Sequence, residues 1–204
     1  MEASTIETHP FVPFLPGNAR LLMLGTFPPA PKRWSMAWYY PNFTNDMWRI
    51  FGLIFFGDKQ HFVCQEKKTY RLDALKAFLT QRGVALFDTC LRIRRTTGTA
   101  SDKDLEVVEQ ADLDGMLLAL PCCRAVVTAG QLATQIFTRH YGLDTKGMKM
   151  GDYREFCFEG RTIRLYRMPS SSRAYPMRTE AKAAYYERML IDLGIKTSNE
   201  QSNL

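Results

Sequence analysis

The chain has 204 residues, 46% of them hydrophobic, and 27 Lys and Arg against 21 Asp and Glu give a formal net charge of +6. That length and apolar content fit one globular domain, 1–204, with a sizeable core, and the charge favours a polyanionic partner. No apolar run is long enough to span a membrane. The cysteines (Cys64, Cys90, Cys122, Cys123, Cys157) form no CxxC, and His9, His61 and His140 stand alone. The pattern reads as reduced thiols in a cytoplasmic protein, not as a disulfide framework or a zinc site. The acidic, proline-broken first residues fit neither a signal nor a transit peptide.

Residues 1–19 read as an extended lead-in, with His9-Pro10-Phe11 and Pro13-Phe14 packing on the domain edge. Leu21 to Leu24 run into Gly25-Thr26-Phe27-Pro28-Pro29, the pattern of a buried strand followed by a sharp turn. In the aromatic stretch that follows, Trp34 to Tyr40 are expected to pack against His9 to Phe14. Thr44 has the chemistry of an N-cap, and Met47, Trp48, Phe51, Ile54 and Phe55 recur at helical spacing, so Asn45 and Asp46 fall in the first turn of a helix. Residues 57–68 read as a loop or short edge strand. A helix from Tyr70 to Gln81 is closed by Gly83, and Val84 to Phe87 form a second strand ending in Asp88-Thr89-Cys90.

The segment LRIRRTTGTASDKDL predicts a basic loop, with Ser101 capping a helix from Asp102 to Glu109. A helix over Leu113 to Leu120, a third strand at Ala125 to Ala129 and a helix striped by Leu132, Ile136 and Phe137 follow. Tyr153 to Phe158 and Thr162 to Met168 form a hairpin-like pair about Glu159-Gly160, the second being the fourth core strand. Pro169 to Pro176 then lead into a helix from Met177 to Leu193, capped by Gly194, with 196–204 as a disordered tail. This alternation predicts an α/β fold: a three-layer α/β/α sandwich around a short, mainly parallel four-stranded sheet.

In such a sheet four loops emerge on one side: Gly25 to Pro29, Asp88 to Ser101, Gly130-Gln131 and Pro169 to Pro176. They and the aromatic stretch hold small or amide-bearing residues (Thr26, Asn45, Gln131, Ser170, Ser171) and basic ones (Lys32, Arg33, Arg92, Arg94, Arg95, Arg173). That mixture suits a pocket inside a phosphate-binding rim.

The segments LLMLGTFPP, YYPNFTNDMWRIFG, ALFDTCLRIRRTTGTASDKDL and MPSSSRAYP, in that order between His9 and Gly194, resemble the uracil-DNA glycosylase superfamily, nearest its hypoxanthine-DNA glycosylase and mismatch-specific branches. The resemblance implies a monofunctional, monomeric DNA glycosylase that hydrolyses the N-glycosidic bond of a flipped base, such as hypoxanthine or mismatched uracil, in duplex or single-stranded DNA. It implies no metal or organic cofactor and no membrane. It places Asn45 as the amide that orients water. Asp88 and Asp102 are the nearest carboxylates, Asp88 to stabilise the sugar cation or accept a bond from water, Asp102 as readily a helix cap. Gly25, Thr26, Phe27 and Gln131 fall on the base, Phe27 as a stacking face or as plain core. Ser170 and Ser171 fall on the DNA backbone, with Arg173 or Tyr175 probing the stack.

Two positions depart from the family pattern. Phe27 stands where several branches carry an acid or amide, and Met168 where many carry a histidine. Those losses argue against strong uracil cleavage and keep a second reading open: a weak or inactive nucleic-acid-binding member of the same fold. A small-molecule α/β hydrolase is a third, without the Gly-x-Ser-x-Gly elbow that it needs.

Overall fold

The structure is a computed structural model that describes residues 5–96 and 104–197. In chain order it contains β1 (Ile6–Thr8), β2 (Leu21–Gly25), α1 (Met47–Phe56), β3 (Val63–Cys64), β4 (Thr69–Tyr70) and α2 (Leu72–Arg82). Then come β5 (Val84–Asp88), β6 (Cys90–Arg95), β7 (Leu105–Gln110), α3 (Leu113–Leu118) and β8 (Ala125–Ala129). The chain closes with α4 (Gln131–His140), β9 (Tyr153–Phe158), β10 (Arg161–Met168) and α5 (Thr179–Asp192).

The central sheet has the order β5-β2-β8-β10-β9. Its first four strands are parallel and are the four core strands expected from the sequence. The sheet is nevertheless five-stranded, because β9 pairs antiparallel with β10. Glu159 and Gly160, at φ 48° and 71°, make a two-residue turn whose twist matches the flanking strands, so the hairpin's first arm extends the sheet edge. Every residue of β2 and β5 is buried, which requires cover on both faces. α2 packs on β5, α4 on β8, and α1 against α5.

The segment after Asp88 corrects the sequence reading. Leu91 to Arg95 belong to β6 rather than to a loop, and 105–110 form the strand β7 rather than the end of a helix; the two pair antiparallel. Ile93 is buried between Arg92 and Arg94, which pair across the strands with Glu109 at 3.4 Å and Glu106 at 2.8 Å. Register shifts on either side of Arg92 break the alternation that would mark a strand in the sequence. The expected cap at Ser101 and the carboxylate of Asp102 lie outside the described residues. The lead-in is also more than an edge: β1 pairs with β6, and Phe14 bridges Leu86. Trp34 packs on Phe11 and Trp38 on Phe14, as expected.

At the other end Gly194, at φ 62°, stops α5 as read, but Lys196 is not tail: it is buried and its Nζ bonds Glu187. Among the described residues no helix is long and apolar enough to cross a membrane.

Register brings the parallel strand ends level. Gly25 stands opposite Asp88, Leu24 opposite Thr128, and Ala129 opposite Met168. The first two core strands, β2 and β5, connect toward one edge and the later ones toward the other, so β2 and β8 flank the switch point where open α/β sheets hold ligands.

Candidate active site

A cleft of about 960 Å³ opens at that switch point. Its walls carry the ten residues assigned to catalysis, base or DNA backbone: Gly25, Thr26 and Phe27 after β2, Asn45 ahead of α1, Asp88 at the end of β5, Gln131 at the start of α4, and Ser170, Ser171, Arg173 and Tyr175 after β10. The volume falls at the upper end of small-ligand pockets and exceeds a single nucleobase.

Asp88 is fixed from two sides. Its Oδ2 accepts a 2.8 Å hydrogen bond from His9 Nε2, and that imidazole is fully buried among Phe11, Phe27, Tyr39 and Phe87. Its Oδ1 lies against Gly25, where a β-carbon would come within 2.3 Å. Residue 25 is therefore glycine because the carboxylate occupies the space of its side chain. His9, which stands alone in sequence, is the partner that spacing gave no means of finding.

Asn45 lies before α1, not within it: the helix begins at Met47, and the Asn45 Oδ1 accepts the Met47 N–H at 2.9 Å. Thr44 does not cap; its hydroxyl bonds Asn42 Oδ1 at 2.8 Å. An amide oxygen has two lone pairs, so the cap orients Asn45 and leaves one acceptor position. Its Nδ2 has no protein partner among the described residues.

The loop after β10 is tied to α1 and α5 by a buried charge. Asp46, 1% exposed, pairs through Oδ2 with Lys182 Nζ at 2.9 Å and through Oδ1 with the exposed Arg173 at 3.0 Å. Lys182 is itself wholly buried and also donates to the Ser172 carbonyl at 2.8 Å, while Asp46 N–H donates to the Ser171 carbonyl at 2.9 Å. The clue in the sequence is Lys182 sharing the helical spacing of Tyr186, Met189 and Leu190, all buried. Ser170 and Ser172 turn the loop by accepting the N–H groups two residues on, at 3.2 and 3.3 Å.

The basic rim is smaller than the sequence implied. Arg33 and Arg173 line the cleft. Lys32 does not, Arg92 and Arg94 lie in cross-strand pairs, and Arg95 is tied to Glu7 and the Pro28 carbonyl, both at 2.7 Å, with its guanidinium over the Phe27 ring. Phe27 is half-buried, held edge-on to His9, and lines the cleft.

Tyr40 is the second residue that sequence reasoning passed over. It lines the cleft at φ 50°, with its hydroxyl buried and, among the described residues, without a hydrogen-bond partner. Burial first, then Tyr186, Asp88 and Tyr39, raise this phenol well above its ordinary value, so it stays protonated. A left-handed backbone at a non-glycine residue costs about 1–3 kcal/mol, and an unmet buried hydroxyl about 1–3 kcal/mol more.

No family model matches the chain, nor does any curated protein. Among solved structures the chain is similar to the solution NMR structure of a protein from Methanosarcina acetivorans described as a "putative Uracil DNA glycosylase": 21% identical over 93% of this chain and 99% of that one, with a TM-score of 0.62. The chain thus shares that protein's fold, five helices around a parallel-rich sheet, with the cleft at the ends of the parallel strands.

Proposed function

We propose that the chain is a DNA glycosylase that removes a deaminated base, hypoxanthine or mismatched uracil, after the base has been flipped out of the stack. The observation that carries this reading is the convergence of ten residues from five separated segments on one cleft, in a fold shared with a protein of that description. Flipping costs a few kcal/mol and is cheapest at mismatched or damaged sites, which supplies part of the selectivity.

In this reading the base enters between Phe27 and the loop after β10, with Ser170, Ser171 and the exposed Arg173 on flanking phosphates. The C1′–N bond breaks and its electron pair leaves with the base. A water held by Asn45 and Asp88 adds its oxygen to C1′ and gives one proton to the Asp88 carboxylate, which returns it to solvent, and the departing base takes its proton from solvent. Asp88 rather than Phe27 then provides the acceptor beside the sugar, and its fixed orientation supplies positioning more than basicity.

The test is strand cleavage after alkali treatment, on duplex and single-stranded oligonucleotides each carrying one uracil, hypoxanthine, xanthine or thymine mismatch. Cleavage confined to one or two oxo-bases, and lost in Asp88→Ala, is expected. No cleavage at high protein concentration, with salt-dependent binding retained, would instead leave a nucleic-acid reader on the same fold.

A further inference from the structure

We infer that Tyr40 is the base-facing hydrogen-bond donor of the cleft: its neutral hydroxyl bonds a carbonyl oxygen of the extruded base and stabilises the negative charge that gathers on that oxygen as the glycosidic bond breaks. The role rests on the glycosylase reading and names the group on the base that is recognised.

Among the described residues, Tyr40 lines the cleft and its Oη is a buried polar atom that no protein group satisfies. Its two phenolic neighbours are both spoken for. Tyr39 Oη donates to the Val12 carbonyl at 2.7 Å, and Tyr186 Oη to the Pro169 carbonyl at 3.0 Å. The strained backbone of Tyr40 is pinned on both sides, by Trp48 Nε1 on the Tyr39 carbonyl at 3.1 Å and by Ser35 on the Pro41 carbonyl at 2.8 Å, while its ring stands edge-on to Trp48. Strain and an unmet donor held together in a cleft are what a preorganised contact requires and what folding alone disfavours. Burial first, then Tyr186 and Asp88, keep the hydroxyl protonated, hence a donor. Met168, buried at the end of β10, has no proton to offer a leaving base. Deamination replaces an amino group by a carbonyl, the acceptor that a phenol O–H meets.

Tyr40→Phe removes the hydroxyl and no protein hydrogen bond. Its urea midpoint is expected to equal or exceed that of the parent, while the single-turnover excision rate falls about 100-fold. In parallel, calorimetry with free bases is expected to show the parent preferring uracil to cytosine and hypoxanthine to adenine, and the variant losing that preference. A variant that matches the parent in rate and preference overturns the role of Tyr40 and leaves the glycosylase standing. A parent that cleaves nothing but shows the preference, lost in the variant, overturns the glycosylase and supports Tyr40. Neither cleavage nor preference in the parent overturns both, and a lowered urea midpoint in the variant marks the hydroxyl as structural and overturns the inference.

Discussion

His9 and Asp88, 79 residues apart, meet through a 2.8 Å hydrogen bond in which the imidazole Nε2 donates to the carboxylate Oδ2. The imidazole is wholly buried and the Asp88 side chain 12% exposed, so the lead-in reaches under the cleft and sets the direction of its carboxylate from behind.

His9→Ala leaves that carboxylate oxygen buried without its donor. A loss of about 1–3 kcal/mol in unfolding free energy is expected, with a smaller loss in His9→Gln, whose amide places a donor near the same point. Urea denaturation of both variants measures it, and equal midpoints for parent and His9→Ala would show the pair to be idle.

Gly25→Ala acts on the same carboxylate from the other side. A β-carbon within 2.3 Å of Asp88 Oδ1 is sterically impossible, so the carboxylate must swing away from His9. Excision is expected to fall to the level of Asp88→Ala, with loss of the hydrogen-bonded His9 imidazole signal in the NMR spectrum. Retention of that signal would mean that the backbone, not the carboxylate, had moved.

Lys182→Met strands Asp46, 1% exposed, with Arg173 at the rim as its remaining cation. Breaking one side of a buried pair costs about 3–5 kcal/mol, and replacing both sides with neutral groups restores most of it. The double variant Asp46→Asn, Lys182→Met is therefore expected to be more stable than Lys182→Met alone, and a thermal-melt cycle of the four proteins gives the coupling.

Arg173, 61% exposed in its side chain, rests on Asp46 and faces solvent. Arg173→Ala is expected to weaken DNA binding alike on all sequences and to reduce the slope of log K against log salt by about 1. Fluorescence anisotropy at a series of salt concentrations reads the slope, and an unchanged slope removes this residue from the interface.

Burial pushes the Cys123 thiol up to about 11, and it donates to the Ala125 carbonyl at 3.2 Å. At pH 8 a thiol-titrating reagent is expected to modify the exposed Cys122 and Cys157 quickly and Cys123 only after unfolding. Mass spectrometry of the labelled peptides distinguishes the adjacent pair.

The parallel core was legible because β2, β5 and β8 are short, mainly apolar runs closed by glycine or aspartate, and β10 follows a Glu159-Gly160 turn and ends at a proline, signals carried within each segment. The cleft was legible for the same reason: level strand ends bring their following loops together. The second sheet was not. In Leu91 to Arg95 the arginines outweigh the buried Ile93 in any composition-based reading, and the pairing with β1 depends on a partner more than 80 residues away. His9 and Tyr40 escaped for a related reason, since burial among distant aromatics and an unmet hydroxyl are properties of packing. Lys182 had a signal, a lysine in an apolar helical stripe, which is legible only once the opposing carboxylate is known.

The 79-residue separation between His9 and Asp88 also orders events at the ribosome. At about 5–20 residues per second, β5 follows the lead-in by about 4–16 s, and through that interval a histidine and several large aromatics wait for the surface that will cover them. The cleft is thus finished by a segment made well before the strand whose carboxylate it aims, and a chain whose sheet has already formed still has an unaimed carboxylate until that segment folds back beneath it.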